Sequence, residues 1–245
     1  MQQSIFTIIE NAPLTESVYR MRLSGDTSAI TAPGQFVNIK LDGLFLRRPI
    51  SVCDCAENTL TLVYKVVGHG TEKMAAMQAG EELDVLTGLG NGYDLTPVRG
   101  HALLLGGGVG VPPLYMLAGQ LIAAGKRVSV ILGFNTAKEI FYEEEFRALG
   151  ASVTVATADG SYGTKGFVTD AMDGIDYDYF FTCGPEPMLR AVYRATATEG
   201  QFSFEERMGC GFGACMGCSC KTVTGYKRIC KEGPVLKKEE ILWQS

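Results

Sequence analysis

The stretch Ala102-Leu-Leu-Leu-Gly-Gly-Gly-Val-Gly-Val-Pro-Pro-Leu114 joins a short apolar run, a glycine-rich turn and the start of a helical pattern. The apolar run predicts a buried strand, and Leu114, Leu117 and Leu121 fall on one stripe of a helix. Glycines between a strand and a helix are typical of a turn that binds the phosphates of a dinucleotide. Glycines are equally needed where a strand and helix only pack tightly, so this motif alone leaves both interpretations open.

Downstream of this stretch, strand and helix patterns continue to alternate. The predicted elements are strands at Val128–Leu132, Ala151–Thr157 and Tyr179–Thr182, with a helix from Glu139 to about Leu149. Strands that alternate with helices predict a parallel sheet, as in a Rossmann-like domain.

The first hundred residues have a different pattern. Residues 37–41 and 60–66 alternate apolar with polar side chains, which predicts half-buried strands in which Asn38 and Lys40 face away from the core. Turn signals such as Ala32-Pro-Gly34 separate these runs. Several short strands with turns between them predict a small antiparallel barrel.

Composition excludes several classes of protein. The chain has 245 residues, 46% of them hydrophobic, and a net charge of −5, which argues against a nucleic-acid binder. Residues 101–125 carry no formal charge, but six glycines and the pair Pro112-Pro113 favour a buried strand and helix over a membrane span. The start of the chain lacks the basic region of a signal peptide, so we expect a cytoplasmic protein without a membrane partner.

Five of the eight cysteines lie between Cys210 and Cys230. Clustered cysteines in an intracellular protein indicate metal or redox chemistry, because disulfides are disfavoured there. Cys210, Cys215 and Cys218 have the C-x4-C-x2-C spacing of a plant-type [2Fe–2S] site, and Cys230 can supply the fourth thiolate. The intervening glycines allow the backbone to wrap closely around such a cluster.

Two alternatives remain open at this segment. A structural zinc site would use paired cysteine knuckles, and no second pair surrounds Cys230, while unliganded thiols would need no spacing at all. Cys220 could replace Cys218 or Cys230 as a ligand, although its position suits a continuing strand. We expect Cys53 and Cys55, in a strand pattern, to be core or surface thiols.

The segment Arg47-Arg-Pro-Ile-Ser-Val52 lies between two predicted strands. The Arg48 guanidinium is suited to a pyrophosphate, and the Ser51 hydroxyl lies further along the same strand. Gly68-His-Gly-Thr71 is a glycine-rich turn that enters a helix, whose first N–H groups can bind phosphate. An arginine pair before a proline is also common at a solvated strand end, so the motif gains weight only from the glycine turn.

These motifs together resemble the ferredoxin–NADP reductase superfamily. Within it, the chain closely resembles the electron-transfer subunits of NAD-dependent (type B) dihydroorotate dehydrogenases. The resemblance covers essentially the whole chain and is carried by residues 48–51, Gly90-Asn-Gly-Tyr93, Gly106–Pro113 and Glu206-Arg-Met-Gly-Cys-Gly-Phe-Gly-Ala-Cys215. It implies an N-terminal antiparallel flavin-binding β barrel (residues 1–98), a Rossmann-like parallel-sheet α/β domain that binds NAD (99–201) and a C-terminal [2Fe–2S] module (202–245).

The resemblance also implies site residues. Those for FAD are Arg48, Pro49, Ile50, Ser51, Val63, Tyr64, Lys65, Gly70 and Thr71; those for NAD are Gly107, Gly108, Gly110, Cys183, Gly184 and Pro185; those for the cluster are Cys210, Cys215, Cys218 and Cys230. The Cys183-Gly-Pro185 segment would lie beside the nicotinamide. No basic residue follows Gly133 to hold a 2′-phosphate, which favours NAD over NADP.

The resulting hypothesis is an electron conduit rather than an enzyme with its own acid–base residues. Electrons would pass from the flavin of an FMN-containing dihydroorotate dehydrogenase catalytic subunit, in a complex of two plus two chains, through [2Fe–2S] and FAD to NAD+. The exposed charges Glu205 and Arg207 could lie near the cluster or at the partner interface, or form an ordinary surface pair. The alternatives are a flavin subunit of another complex, of sulfide or ferredoxin–NADP reductase type, and a non-redox scaffold with zinc.

Overall fold

A computed structural model describes residues 1–243 of the chain. It contains a closed barrel, a seven-stranded sheet and a two-stranded hairpin. The barrel precedes the sheet along the chain, and the hairpin lies in the cysteine-rich segment. The predicted fold class, a β barrel followed by an α/β domain and a C-terminal module, is therefore confirmed.

The strands are β1 (Gln2–Pro13), β2 (Val18–Ser24), β3 (Phe36–Ile39), β4 (Arg48–Ala56), β5 (Thr59–Lys65), β6 (Glu82–Leu89), β7 (His101–Gly107), β8 (Arg127–Phe134), β9 (Ser152–Thr157), β10 (Thr164–Lys165), β11 (Tyr179–Cys183), β12 (Gly200–Ser203), β13 (Ser219–Thr222), β14 (Gly225–Arg228) and β15 (Val235–Lys237). The helices are α1 (His69–Ala76), α2 (Pro113–Ala123), α3 (Glu143–Ala148) and α4 (Glu186–Ala195).

The barrel closes in the order β1-β2-β5-β4-β3-β6, and all neighbouring pairs are antiparallel. Alternate side chains point inward, because successive residues of a strand face opposite sides. Met21 and Leu23 of β2 and Leu60 and Leu62 of β5 are fully buried in this interior. The apolar alternation that the sequence shows thus lines the barrel core.

Strand β3 departs from the predicted half-buried pattern. All four of its residues are buried, including Asn38 at 1% exposure. Val37 and Ile39 fill the barrel interior, whereas the outer side of β3 is covered by the cysteine-rich segment. Asn38 does face away from the barrel core, as predicted, but the strand is not half-buried, because another part of the chain covers its outer side.

The seven-stranded sheet has the order β10-β9-β8-β7-β11-β12-β15. Its strands from β10 to β12 pair in parallel, as the alternation of strands and helices predicts. Leu114, Leu117 and Leu121 of α2 are buried in the core of this domain. Gly125, at φ +75°, ends the segment in a conformation that glycine adopts without strain.

The predicted helix from Glu139 to Leu149 is wrong in its first turn. The structure has a 3₁₀ turn at residues 137–139 and begins α3 only at Glu143. Tyr142 interrupts the helix with φ +67°, and its ring packs edge-to-face on Tyr115 at 5.2 Å between centroids. Burial of this aromatic ring decides the backbone path, which periodicity alone does not predict.

The C-terminal segment joins the larger sheet. Strand β15 pairs antiparallel with β12, and β13 and β14 form the separate hairpin. The predicted division after residue 201 falls within β12. The assignment of three functional modules by residue range stays a prediction. No helix within residues 1–243 has both the length and the apolar character needed to cross a membrane.

The barrel and the parallel sheet share one hydrophobic core. Helix α2 packs against β4, and Val18, Cys53 and Val63 of the barrel are buried in the same cluster as Leu117 of α2. Removal of this apolar area from water holds the two parts together. Their strand ends are therefore fixed relative to each other, which a shared cofactor site requires.

The Gly90-Asn-Gly-Tyr93 segment ties the barrel to the C-terminal strand. The Asn91 side chain donates to the carbonyl of Val235 at 2.8 Å and accepts from the Val235 N–H at 3.1 Å. The Tyr93 hydroxyl donates to the Thr182 carbonyl at 3.2 Å. A Cβ on Gly90 would come within 2.6 Å of Pro234 Cδ, so this position favours glycine.

Replacing Asn91 by alanine should lower the free energy of unfolding by about 1–3 kcal/mol, because it leaves two backbone groups of Val235 without partners. Denaturant unfolding of the apo chain measures this change. Asn135→Ala, at an exposed side chain that bonds only to Glu139 locally, is the control and should change it little. Equal stability of the two variants would contradict a stabilising role for the hydrogen bonds between Asn91 and Val235.

Candidate cofactor sites

The Arg48-Pro-Ile-Ser51 motif begins β4 and lies opposite β3. Pro49 pairs with Asn38, and Ser51 pairs with Phe36. The Arg48 side chain crosses the helix entry at Gly70, where an added Cβ would lie 2.0 Å from Arg48 Nε. A backbone without a side chain is therefore what allows the guanidinium to reach this position. This cradle, with a permanent positive charge beside a helix start, fits a pyrophosphate.

Thr71 organises the turn that enters α1. Its hydroxyl accepts hydrogen bonds from the N–H groups of Val67 at 2.9 Å and Gly68 at 3.3 Å. It also donates to the Gly68 carbonyl at 2.9 Å. The Thr71 side chain is thus occupied within the turn, and Thr71 and Gly70 can offer a ligand mainly their backbone N–H groups.

The three residues Val63, Tyr64 and Lys65 point in different directions. Val63 packs toward the α/β domain, and Tyr64 lies in the barrel interior with its hydroxyl donating to Asn11 Oδ1 at 3.0 Å. Burial raises the pKa of Tyr64 to about 12. Lys65 is exposed. For a flavin, Tyr64 therefore has only main-chain atoms to offer.

The glycine turn after β7 meets the end of β11. Gly106 and Cys183 are neighbours in the parallel register. A Cβ on Gly110 would lie 2.3 Å from the carbonyl oxygen of Cys183, and one on Gly107 would lie 3.3 Å from Pro185 Cδ. The structure thus brings together the two segments for which a nucleotide-binding role is predicted, at the carboxyl ends of adjacent strands, where α/β sheets bind nucleotides.

Cys183 ends β11 as a protonated thiol. Burial raises its pKa to about 12, against a hydrogen bond with Ser203 that lowers it. A protonated thiol is a poor nucleophile, so the chemistry of the position is packing and contact rather than covalent catalysis.

In the cysteine loop, backbone N–H groups point at sulfur. Cys210 Sγ accepts from the N–H groups of Ala214 at 3.2 Å and Cys215 at 3.4 Å. Cys215 Sγ accepts from the N–H group of Cys210 at 3.4 Å, and Cys218 Sγ accepts from that of Cys230 at 3.4 Å. Gly211 and Gly213 have φ of +77° and +91°, which allows the tight wrap.

The four cysteines form two pairs, Cys210 with Cys215 and Cys218 with Cys230. Burial disfavours the Cys210 thiolate, but N–H groups of the loop outweigh it and lower the pKa of Cys210 to about 6. Burial and the neighbouring Cys218 raise the pKa of Cys230 to about 12. No group of three His, Cys, Asp or Glu side chains within residues 1–243 is placed to hold a metal ion. Two pairs of cysteines can supply the four ligands that a [2Fe–2S] cluster takes.

Cys220 lies apart from these pairs. It belongs to β13, opposite Lys227 of β14, and burial raises its pKa. A strand position across a hairpin explains this thiol without a ligand role. Cys230, which donates its N–H to Cys218 Sγ, is the better-placed fourth ligand.

Two side chains that the sequence did not single out hold the cysteine loop. Asn38 Nδ2 donates to the Cys210 carbonyl at 3.2 Å, and Arg228 Nη1 donates to the Gly213 carbonyl at 2.6 Å. Arg228 is itself fixed by Glu232, which accepts from Arg228 Nε at 2.9 Å. The polar Asn38 between the apolar Val37 and Ile39 was the available signal, but only the fold shows what covers it.

Comparison with known proteins identifies families for two regions of the chain. Residues 205–242 match the iron–sulfur cluster binding domain of dihydroorotate dehydrogenase B, and residues 104–194 match the oxidoreductase NAD-binding domain. The electron transfer subunit of dihydroorotate dehydrogenase B (NAD(+)) from Fusobacterium nucleatum is 44% identical over 96% of both chains. The chain belongs to the family of dihydroorotate dehydrogenase B electron transfer subunits. A second member of this family, from a Geobacillus species, is 43% identical over 99% of both chains.

Solved structures of other redox proteins share the fold of this electron transfer subunit family. A chain from the NADH-dependent reduced ferredoxin-NADP oxidoreductase superposes with a TM-score of 0.89 at 31% identity, over 97% of this chain and 90% of that one. The flavohemoglobin of Malassezia yamatoensis, solved with FAD and heme, superposes with a TM-score of 0.68 at 20% identity over 80% and 56% of the two chains, which shows a shared fold alone.

Proposed function

We propose that this chain carries electrons from the flavin of an FMN-containing dihydroorotate dehydrogenase catalytic subunit, through a [2Fe–2S] cluster and FAD, to NAD+. The reaction belongs to de novo pyrimidine (UMP) biosynthesis. Dihydroorotate loses two electrons and two protons to give orotate, while NAD+ takes up two electrons and one proton and the second proton is released. Bound FAD supplies the exchange between single electrons and hydride.

One juxtaposition supports this function. The loop of Cys210 lies on the outer side of β3, and the Arg48–Ser51 motif is the next strand, paired residue for residue with β3. The candidate cluster and flavin sites are therefore one strand apart. The turn at Gly106–Gly110 lies against Cys183 of the parallel sheet and also contacts β5 of the barrel. The candidate flavin site on the barrel therefore has the cluster loop and the glycine turn as neighbours.

The residues of each site have distinct roles. We propose that the cluster irons are bound by Cys210, Cys215, Cys218 and Cys230. The flavin pyrophosphate would be bound by Arg48 and by the turn at Gly70 and Thr71, with Pro49, Ile50, Ser51 and residues 63–65 alongside the flavin. The NAD site would be lined by Gly107, Gly108, Gly110, Cys183, Gly184 and Pro185. The chain contributes orientation and charge rather than an acid or base.

The two cysteine pairs differ in exposure, which indicates where the partner approaches. Cys218 and Cys230 are each 2% exposed, whereas Cys215 is exposed between the half-exposed side chains of Phe212 and Met216. The exposed Cys215 therefore offers a partner flavin a side from which to approach the cluster. We infer a complex of two catalytic and two electron transfer chains. The cytoplasm, where thiols stay reduced, suits the eight free cysteines.

The proposal is tested by co-expressing the chain with its candidate catalytic subunit and measuring dihydroorotate-dependent NAD+ reduction with and without this chain. We expect NADH to form only in the complex, which should contain FAD, iron and acid-labile sulfide. A complex with these cofactors that forms no orotate would contradict the assignment. It would instead favour the ferredoxin-linked reductases, to which the chain is 31% identical.

Gly110→Ala should raise the KM for NADH by at least about tenfold, because small displacements of a binding segment are costly. Its Cβ would lie 2.3 Å from the Cys183 carbonyl oxygen and so force the two segments of the NAD site apart. NADH oxidation with an artificial electron acceptor measures the effect. Gly119→Ala, in α2 with only one contact at 3.9 Å, is the control and should leave the KM unchanged. An unchanged KM in Gly110→Ala would exclude this turn from the NAD site.

A further inference from the structure

Asn38 is a buried amide between the two redox sites. It lies on β3 with β4 on one side and β6 on the other. Val37 and Ile39 point into the barrel, so Asn38 points outward, where the cysteine loop covers it to 1% exposure. A polar side chain this deeply buried needs hydrogen-bond partners.

The Asn38 amide holds the first cysteine of the loop. Its Nδ2 donates to the Cys210 carbonyl at 3.2 Å. A Cβ on Gly211 would lie 2.3 Å from the same nitrogen, so the loop approaches as closely as a glycine allows. The main-chain carbonyl of Asn38 accepts from Arg47 Nη1 at 3.3 Å, and Arg47 is paired with Asp84 Oδ1 at 3.0 Å. Both the backbone and the side chain of Asn38 are thus fixed.

The other end of the amide is unsatisfied. Asn38 Oδ1 is buried and has no donor among residues 1–243. Rotating the amide would bring this oxygen against the Cys210 carbonyl, where two acceptors would repel. A buried acceptor without a partner opposes folding, so stability alone does not explain an amide here. Its single hydrogen bond to the cysteine loop is what distinguishes it from an apolar residue.

Asn38 also lies opposite the Arg48–Ser51 motif in the β3–β4 register. The hydrogen bond from the Val52 N–H to the Gln35 carbonyl sets the alternation of the β3–β4 ladder. Asn38 and Pro49 consequently form a pair without backbone hydrogen bonds, the position that proline tolerates and where facing side chains are closest. The same side chain thus bonds to the cysteine loop and faces the second residue of the Arg48–Ser51 motif.

We propose that Asn38 is a positioning residue, which holds the Cys210 end of the cluster loop against the strand facing the flavin motif and so sets the separation that single electrons cross. The inference rests on the proposed function. A cluster held by Cys210, Cys215, Cys218 and Cys230 would exchange single electrons with the flavin, with no covalent bond made or broken. Asn38 would act on this transfer only through its hydrogen bond to the Cys210 carbonyl.

The test compares Asn38→Leu with Asn38→Ser and with Gln35→Leu in the assembled complex. Leucine keeps the volume but removes the donor, and serine is too short to reach the Cys210 carbonyl. Gln35 is a matched control, because it is a buried amide just before β3 whose bonds go to Thr31, Ala32 and Gly90 rather than to the cysteine loop. FAD, iron and acid-labile sulfide are measured first. Anaerobic rapid mixing with NADH then follows flavin and cluster bleaching separately.

In Asn38→Leu we expect flavin bleaching by NADH at the wild-type rate and cluster bleaching slowed at least about tenfold, as expected for a displaced reacting group. Hydrogen exchange of residues 209–217 should rise in the same variant. Gln35→Leu should lower stability without either effect. Loss of the cluster with FAD retained also supports the proposal.

Cluster bleaching within twofold of wild type, with unchanged exchange, would overturn the role of Asn38. Such a result leaves the proposed function standing, since NADH, FAD and the cluster would still be connected. If Asn38→Leu loses both cofactors, the rates of flavin bleaching and cluster bleaching in Asn38→Ser test the proposal instead. If flavin bleaching slows by the same factor as cluster bleaching, the proposal is also overturned. The defect would then lie in the transfer from NADH to the flavin rather than in the transfer from the flavin to the cluster.

Discussion

Cys215→Ala is expected to abolish dihydroorotate-dependent NAD+ reduction while the flavin still oxidises NADH with an artificial electron acceptor. Cys215 Sγ accepts hydrogen bonds from N–H groups of the loop, including that of Cys210. Alanine has no thiolate to bind iron. Because Cys215 is exposed, its loss should leave the fold intact. Iron and acid-labile sulfide content, and the two activities of the same preparation, measure the result.

Cys220→Ala is the matched control for this variant. Cys220 lies ten residues from Cys230 in the same segment, but on β13 and outside the two cysteine pairs. It should retain iron, sulfide and full activity. If Cys220→Ala loses the cluster and Cys230→Ala keeps it, the fourth ligand is misassigned. Retention of the cluster in Cys215→Ala would contradict the site as a whole.

Gly70→Ala is expected to weaken FAD binding by about 10- to 100-fold, the range for losing hydrogen bonds to a charged group. The new Cβ would lie 2.0 Å from Arg48 Nε, so the guanidinium must leave its place over the turn. Arg48 is a flexible side chain and can move at little cost to the fold. The variant should therefore have the same free energy of unfolding as the wild type but lose FAD on dilution. Flavin fluorescence titration measures the loss of FAD.

Gly100→Ala serves as the control, since a Cβ there would meet only Asp178 Oδ2, at an ordinary 3.6 Å. It should bind FAD as the wild type does. Combining Gly70→Ala with Arg48→Ala distinguishes the cause. If Arg48 mediates the effect, the double variant should bind FAD no more weakly than Arg48→Ala alone, whereas a further loss would locate the defect in the turn itself.

Sequence patterns predicted the fold well where periodicity and burial agree. The stripe of Leu114, Leu117 and Leu121 and the alternating residues of β5 depend on local spacing, which is visible in one dimension. The first turn of the helix predicted from Glu139 was wrong, because the buried ring of Tyr142 fixes the backbone there. Such packing depends on residues distant in sequence.

The candidate sites were predictable to the extent that each is a local motif. The cysteine spacing and the glycine turns can be identified along the chain without a fold. The neighbours that hold those motifs cannot, since Asn38 lies 172 residues before Cys210 and Asn91 lies 144 residues before Val235. A polar residue in an apolar run signals that something covers it, but the covering element emerges only from the closed barrel and the sheet.

The addition of β15 to β12 has a consequence for any attempt to shorten the protein. A chain cut after Ser203 would keep the barrel and the glycine turns but would leave β12 as an open sheet edge. Unpaired strand edges recruit strands from other molecules, so such a fragment should aggregate. The cysteine-rich segment therefore also covers the edge of the seven-stranded sheet. Truncation cannot remove this segment without exposing that edge.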